Sequence, residues 1–528
     1  MVQHLAMGYL SAADVDLLIA GAGPTGLAMA AEATRFGLRY RIIDKAPHGA
    51  LHSQALVIQA RTLEQFERYE IAQQAIERGR RLRRIRMYDG AKRILEASFD
   101  EIPGSYPFVL FLPQTETERL LSEHVQAQGG RIERGVELRA FSDRGQGVEC
   151  ELRHADGTAE RMRCAYLIGA DGAHSTVRSL LGMPFEGRAV KFDFFLGDLK
   201  THGDVPDDVL TVRLHRGNIV FFGRMDDDYC RFIVALHDDP MEREPTIEDF
   251  QSAIDSCAIE NVRVSDPRWM TAFHVNERKT PAYSAGRVFM AGDATNVHSP
   301  VGGQGMNTGI QDAANLVWKL ALLESGRARP SLRDSYDAER KPVGDALVDA
   351  TSLVLRAATT PNWLLEQFRD ALFSRIAPLG AVQERLRGAV SEIGIHYRRS
   401  AIVRDAGGPS PLRAGDRAPD CEAVDEVGTR LRMFDLLREP VHTVIAVKPA
   451  GGTELARVAH LLADYRDVMQ GSVLLDGDED FIKQYGGGGS MVYAVRPDGY
   501  IGFRGTCANL DALEAWAGEL FVKREQRT

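Results

Sequence analysis

Gly21-Ala-Gly-Pro-Thr-Gly26 stands directly after an apolar run that ends at Ala20, and Asp44 follows eighteen residues beyond Gly26. Glycines at that spacing suit the binding of a diphosphate. The first permits a tight turn, the second lets the phosphates approach the backbone, and the third lets a helix pack closely on a strand. Pro24 and Thr25 then open a helix, whose free N–H groups and positive dipole end favour an anion. Asp44, with Lys45 beside it, falls at the end of the next strand, where a carboxylate accepts hydrogen bonds from a ribose hydroxyl. A purely structural turn needs neither three glycines nor a distal acid. Gly21, Gly23, Pro24, Thr25, Gly26, Asp44 and Lys45 are therefore read as a dinucleotide site, and the pattern alone fits FAD and NAD equally.

Two later segments separate those cofactors. The first is Tyr166-Leu-Ile-Gly-Ala-Asp-Gly-Ala-His-Ser-Thr-Val-Arg178. The second is Arg287-Val-Phe-Met-Ala-Gly-Asp-Ala294, continuing through His298-Ser-Pro-Val-Gly-Gly-Gln-Gly-Met-Asn307. Together with the glycine motif they resemble the flavoprotein aromatic hydroxylases, the group of p-hydroxybenzoate and phenol hydroxylases. The resemblance covers residues 14 to 345 and is weaker beyond. It implies that Asp171 and Gly172 lie near the FAD pyrophosphate and that Gly292 and Asp293 meet the ribityl chain. It also implies that Pro300, Gly303, Gly305, Met306 and Asn307 wrap the flavin ring, with Gln114 touching the flavin and the backbone of Val136 meeting the adenine. The loop makes physical sense unaided: a glycine-rich turn opening a helix offers N–H groups to the electron-rich edge of a reduced flavin. The family pattern is not complete, since Gln54 stands where many relatives have Arg, and Asn296 where many have His.

The chain has a single G-x-G-x-x-G in a strand–helix setting, so no second Rossmann unit is expected for a nicotinamide cofactor. By resemblance, NADPH or NADH binds transiently, reduces the flavin and leaves. The reduced flavin then meets O2 to give a hydroperoxide that hydroxylates a small phenolic ring. Groups to polarise that phenol are sought among His215, Tyr229 and Arg278, with Pro300 at the flavin loop. For each of the first three, a solvated or packed polar residue is the plainer reading. The acid that phenol hydroxylases carry ahead of their Arg-Thr-Leu-Glu match, here Arg61 to Glu64, is Leu56 in this chain. An oxidase or monooxygenase acting on a polycyclic, antibiotic-type substrate is the alternative. A non-catalytic flavin sensor is disfavoured by the flavin-wrapping loop.

These residues need elements to position them. Residues 15 to 20 read as a buried strand, 24 to 36 as a helix and 39 to 44 as a second strand, which makes one βαβ unit. Three β-rich runs, 135 to 141, 147 to 153 and 162 to 170, read as a meander inserted into a parallel sheet. Alternation between about 190 and 280, as in 211 to 215 and 231 to 236, predicts an antiparallel sheet with one covered face, fit to floor a pocket. Helical periodicity runs from Gly309 to about Arg399. A Gly-, Pro- and Arg-rich stretch at 405 to 420 is expected to be a linker, and Gly486 to Gly489 a loop. Beyond the linker, Ala414-Gly-Asp-Arg-Ala-Pro-Asp420 and the run from Tyr493 to Gly505 resemble the thioredoxin-like third domain of phenol hydroxylases. The chain lacks a C-x-x-C pair, so a structural or assembly role is expected there.

The expected class is thus α/β: a Rossmann-like FAD-binding domain in two parts (1–189 and 281–403), an inserted antiparallel-sheet substrate domain (190–280), and a C-terminal thioredoxin-like domain (404–528). A chain of 528 residues suits several domains. At 44% hydrophobic and 26% charged residues it has the composition of an ordinary globular protein. A formal charge of -10 argues against nucleic acid as a partner. The Arg-rich run from Arg78 to Arg93 is read as a solvated face of helix and strand. Six scattered cysteines form no metal cluster and suit a cytoplasmic protein. The longest uncharged apolar stretch, 17 to 31, is broken by Gly and Pro, so no membrane span is expected. A homodimer is compatible with this reading.

Overall fold

Leu17, Leu18 and Ile19 follow one another without a polar break, the pattern of a strand covered on both faces, and each is fully buried in the strand Val15–Ala20. Residues 13–51, 55–215, 217–235, 243–299, 303–359, 380–486 and 489–526 are described, in a computed structural model. Gln54, Leu236, Pro300, Val301, Gly302, Gly487 and Gly488 of the tracts above lie outside the described residues. Val15–Ala20 pairs in parallel with Tyr40–Asp44 on one side and Ala159–Gly169 on the other. The parallel core continues to Val288–Met290 and Ile132–Arg134. The expected meander is present as Val136–Asp143 and Val148–His154, paired antiparallel onto Ala159–Gly169.

The helix Pro24–Arg35 starts with proline at its first position, where the missing N–H costs nothing, and buries its alanine-rich face. It packs against Gly305–Glu324 and Gln114–Ala127. Buried Leu27, Met29, Leu120, Ile310 and Leu316 join that core, each contributing about 1.5–3 kcal/mol on burial.

The second sheet has eight strands in the order Asn296–Val297, Arg263–Lys279, Glu186–His202, Tyr229–Ala235, Asn218–Arg224, Val209–His215, Arg84–Asp89, Lys92–Ser98. It therefore recruits residues on either side of the 190–280 insertion. Arg84–Asp89 pairs in parallel with Val209–His215, and Asn296–Val297 pairs with Arg278 and Lys279. The Arg-rich run supplies the edge hairpin of this sheet, where Arg83 meets Asp100, Arg84 meets Asp208 and Arg86 meets Glu96. Charges of this kind blunt an exposed edge.

The C-terminal segment forms a third, seven-stranded mixed sheet with Gly452–Asp464 and Leu510–Leu520 among its helices. The expected linker at 405 to 420 does not behave as one. Ala414 and Ala418 are buried in the core of this domain, and Arg417 pairs with Glu64 of the helix Ala60–Arg68. Gly and Pro here serve a packed irregular segment rather than a tether. A single core also joins Trp318, Leu322 and Leu332 to Val444, Trp516 and Phe521, so the third domain is fused to the first by apolar contact. Among the described residues, no helix is long and apolar enough to cross a membrane.

Candidate active site

The turn at 21–26 has little freedom. Gly21 adopts φ 105°, and a Cβ on Gly26 would overlap the carbonyl of Gly21. A Cβ on Gly23 would meet nothing within 4 Å. Gly21, Gly23, Pro24 and Thr25 line one end of a cavity of about 1140 Å³, whereas Gly26 is behind it, packing helix on strand. Asp44 lines the same end. Its carboxylate accepts from Ala22 N and Ala46 N at 2.8 Å each, and Arg134 Nη1 stands 3.3 Å away. Each carboxylate oxygen has two lone pairs, so capacity remains for a ribose hydroxyl. Lys45 and Val136 complete this end.

Asp171 accepts from Ser175 Oγ at 2.5 Å and Thr176 N at 2.6 Å, so it caps the short helix Thr176–Leu180 and holds Gly172 at φ 77° against the cavity. Arg178, quoted within the motif but absent from the expected site set, ties the two family segments together. It donates to Ala173 O at 2.7 Å and to Ala294 O at 3.1 Å. The glycine–aspartate pair is fixed from the other side. Gly292 N donates to Asp312 Oδ2 at 2.9 Å, and Arg340 Nε donates to Asp312 Oδ1 at 2.6 Å. Gly292 itself does not line the cavity, but Asp293 does. Asp293 is exposed to the cavity, with the surrounding protein crowding it on the other side. That crowding raises its pKa, and His298 opposes the rise.

Gly303, Gly305 and Met306 line the cavity, but Asn307 does not. Its side chain is a staple: Oδ1 accepts from Gln59 N at 3.0 Å, and Nδ2 donates to Val57 O and Gly303 O at 2.8 Å each. Asn307 thus shapes the loop from behind. Gln114 lines the cavity, with its amide held by Ala55 N and Glu118. His298, missed in the sequence, lines the cavity as well, and its Nδ1 is 2.8 Å from Ser299 O. Its place two residues before Pro300 was the available signal. The glycine turn, Asp44, Asp293 and the N-terminus of the helix Gly305–Glu324 all border this one cavity, a donor set compatible with FAD.

The far end of the cavity is the apolar face of the antiparallel sheet. Val212, Phe221, Ile233, Leu196 and Thr271 form one cross-strand row, and Leu214, Ile219 and Phe273 belong to the next. Ile85, Met87 and Phe99 of the recruited edge close the side. A buried cationic side chain interrupts this apolar wall. Arg231, 2% exposed, is bidentate on Asp198, which also accepts from Trp269 Nε1 at 2.7 Å. An arginine at an inward position of the apolar strand Tyr229–Ala235 was the sequence signal that was overlooked.

The structure separates the three expected phenol-polarising residues. Arg278 lines the cavity beside the flavin loop, paired through the backbone with Val297. His215 and Tyr229 do not line it. Leu214 faces the cavity, so His215, one residue on, projects from the opposite face, where its Nδ1 is 3.8 Å from Asp89. Tyr229 has the parity of Arg231 but sits at the rim, its ring 3.7 Å from the Arg268 guanidinium carbon. Pro300 lies outside the described residues.

A family model described as FAD binding domain matches residues 14–351. The 6-methylpretetramide 4-monooxygenase of Streptomyces rimosus is 33% identical over 521 residues, spanning 95% of this chain and 92% of that protein. Pentachlorophenol 4-monooxygenase of Sphingobium chlorophenolicum is 33% identical over 464 residues, 85% of this chain and 82% of that one. Among solved structures, the anhydrotetracycline hydroxylase of Streptomyces rimosus superposes with a TM-score of 0.80 at 27% identity, covering 96% of this chain and 99% of its own.

Proposed function

This chain belongs to the FAD binding domain family of FAD-dependent aromatic monooxygenases, and from that premise we propose that it hydroxylates a phenolic ring of a polycyclic substrate. The balanced reaction is ArH + O2 + NAD(P)H + H⁺ → ArOH + NAD(P)⁺ + H2O. Bound FAD supplies the two-electron link between reductant and oxygen. The observation that carries the reading is the continuous cavity. It runs from the dinucleotide turn to a broad apolar sheet face, and its 1140 Å³ exceeds the ~300–1,000 Å³ usual for one ligand. Beyond the dinucleotide end, the apolar sheet face offers a broad floor for fused rings.

The protein groups have separable tasks. Phe221, Ile233, Leu196 and Phe273 cover the ring faces and exclude water. Arg231, held by Asp198 and Trp269, offers a fixed cation to a phenolate or enolate oxygen, and it favours the ionised form in which the ring carbons are most electron-rich. Arg278 stands where the sheet meets the flavin loop and supplies a second positive charge at the mouth. Relatives named as a 6-methylpretetramide 4-monooxygenase and a pentachlorophenol 4-monooxygenase are both consistent with phenolic chemistry.

The test is a panel of mono-, bi- and tetracyclic phenols offered to the FAD-loaded protein under ¹⁸O2, with NADPH and NADH in parallel. Polycyclic phenols are expected to stimulate reductant oxidation and to gain one labelled oxygen. Stimulation by monocyclic phenols alone would overturn the polycyclic assignment. Turnover that yields oxidised but unlabelled product would overturn hydroxylation.

A further inference from the structure

The third domain has no dithiol pair, yet one of its turns enters the FAD-binding part more deeply than a docking contact requires. Residues 496–500 join the strands Met491–Val495 and Ile501–Thr506 and lie against three helices of the first domain. Arg496 donates to both carboxylate oxygens of Glu339, at 2.6 and 2.9 Å, and its Nε reaches Asp498 Oδ1 at 3.0 Å. Glu339 also accepts from Lys319 Nζ at 2.8 Å and from Asn315 Nδ2 at 2.7 Å. Both of those residues belong to Gly305–Glu324, the helix that the flavin loop opens. The backbone of the turn is held as well: Arg61 donates to Asp498 O at 2.7 Å and Arg68 to Pro497 O at 2.6 Å.

These groups are fully enclosed. Side-chain exposure is 0% for Lys319 and Glu339, 1% for Arg496 and 2% for Asp498. Burial pushes Lys319 down to about 8 although Glu339 resists it. Burial alone would raise the Glu339 carboxyl, but Arg496 and Lys319 together hold it well below the usual range. Buried ion pairs pay for desolvation and are poor sources of net stability, while breaking one partner strands the other charge. What such a cluster does well is to fix geometry.

From this cluster three routes reach the cofactor cradle. One follows Asn315 and Lys319 along the flavin-loop helix. A second passes from Tyr500, whose ring centroid lies 4.3 Å from that of Tyr397 at a tilt of 44°, to Arg340, which donates to the Tyr397 hydroxyl at 2.8 Å and through Asp312 holds Gly292 N. The third uses the helix Ala60–Arg68, which Gln59 precedes, and Gln59 N donates to Asn307.

We propose that the turn 496–500 is a positioning element of the FAD site: Arg496 and Asp498 set the placement of the flavin-loop helix and of the Gly292–Asp293 turn, so the third domain governs how tightly FAD is held. This rests on the FAD site alone and stands whatever the substrate proves to be.

The experiment compares Arg496→Met and Asp498→Asn with Phe481→Leu. Phe481 is a fully buried residue of the third domain that lies outside the turn 496–500. For each full-length protein, three quantities are measured: the FAD dissociation constant by titration of the apoprotein, the visible circular dichroism of bound FAD, and the melting temperature. Arg496→Met and Asp498→Asn are expected to weaken FAD by about tenfold or more, within the range usual for coupled sites, and to alter the visible spectrum while far-ultraviolet circular dichroism is retained. Phe481→Leu is expected to lower the melting temperature and leave both FAD readouts unchanged. The proposal is overturned if both turn variants bind FAD with wild-type affinity and spectrum. It is equally overturned if FAD loss merely follows melting temperature across all three proteins.

Discussion

Asp293 illustrates how one side chain can be costly to the empty protein and useful to the loaded one. Its carboxylate borders the cavity and is raised in pKa by the surrounding protein, and under the proposed FAD reading hydroxyl donors of a ribityl chain would favour its ionised form. Asp293→Ala should therefore weaken FAD by roughly 10- to 150-fold, the equivalent of a charge-assisted bond of about 1.5–3 kcal/mol. Purified protein would come off the column largely colourless, and retention of stoichiometric FAD would refute the assignment. Glu392 offers a test by pH. Burial raises its carboxyl to about 8, outweighing the opposing pull of Arg340 and of the hydrogen bond from Gln311. The folded protein thus holds a proton that the unfolded chain releases near 4.5. The stability this provides is complete below about 4.5 and is lost as pH rises towards 8. At ~1.4 kcal/mol per unit the effect is roughly a few kcal/mol. Glu392→Gln should flatten the decline in melting temperature between pH 5 and 8, and an unchanged pH profile would contradict the buried, protonated state.

The antiparallel sheet does its work through a period of two. Val212, Phe221, Ile233, Leu196 and Thr271 share a row, so a bulky replacement at its centre narrows the substrate end without touching the dinucleotide turn. Ile233→Trp is expected to leave the FAD dissociation constant as it is and to raise KM for a polycyclic substrate by about tenfold or more, while smaller phenols are affected less. Equal losses for large and small rings would show that the row does not line the substrate end. The flavin-loop helix works differently. It presents its N-terminus to the cavity while Asn307, Asp312 and Asn315 bond backward into the framework.

At the scale of the whole molecule, the cavity has one dinucleotide turn and no second Rossmann unit among the described residues. Under the proposed function, NAD(P)H would visit transiently and would waste electrons unless its access depended on substrate. The cavity reaches from that turn to the sheet, and under the proposed function a bound substrate would gate reduction by shifting the flavin ring within it. With oxygen excluded, NADPH should reduce the flavin at least about tenfold faster when the true substrate is present, or roughly 1.4 kcal/mol of barrier. Stopped-flow absorbance at the oxidised-flavin band measures this directly. Equal rates with and without a hydroxylated substrate would remove the gate and leave the FAD assignment intact.

The sequence by itself determined what depends on local backbone chemistry. Gly21 and Gly26 announce the turn because only glycine tolerates that crowding, and Asp44, Asp171 and Asp293, each in a short contiguous motif, all border the cavity. The parallel core was legible from unbroken apolar runs, the meander from three β-rich runs between turns, and the antiparallel sheet from alternation. Tertiary structure decided whatever depends on which face or which distant segment meets the cavity. It turned His215 away by a single residue of strand parity and brought Arg231 in. It recruited Arg84–Asp89 to a sheet that local pattern confined to 190–280. It set Asn307 behind the loop as a staple, and it drew the 405–420 stretch into a packed core that Arg417 joins to Glu64. Each of these outcomes rests on pairings between residues tens to hundreds of positions apart, and no local periodicity encodes such partners.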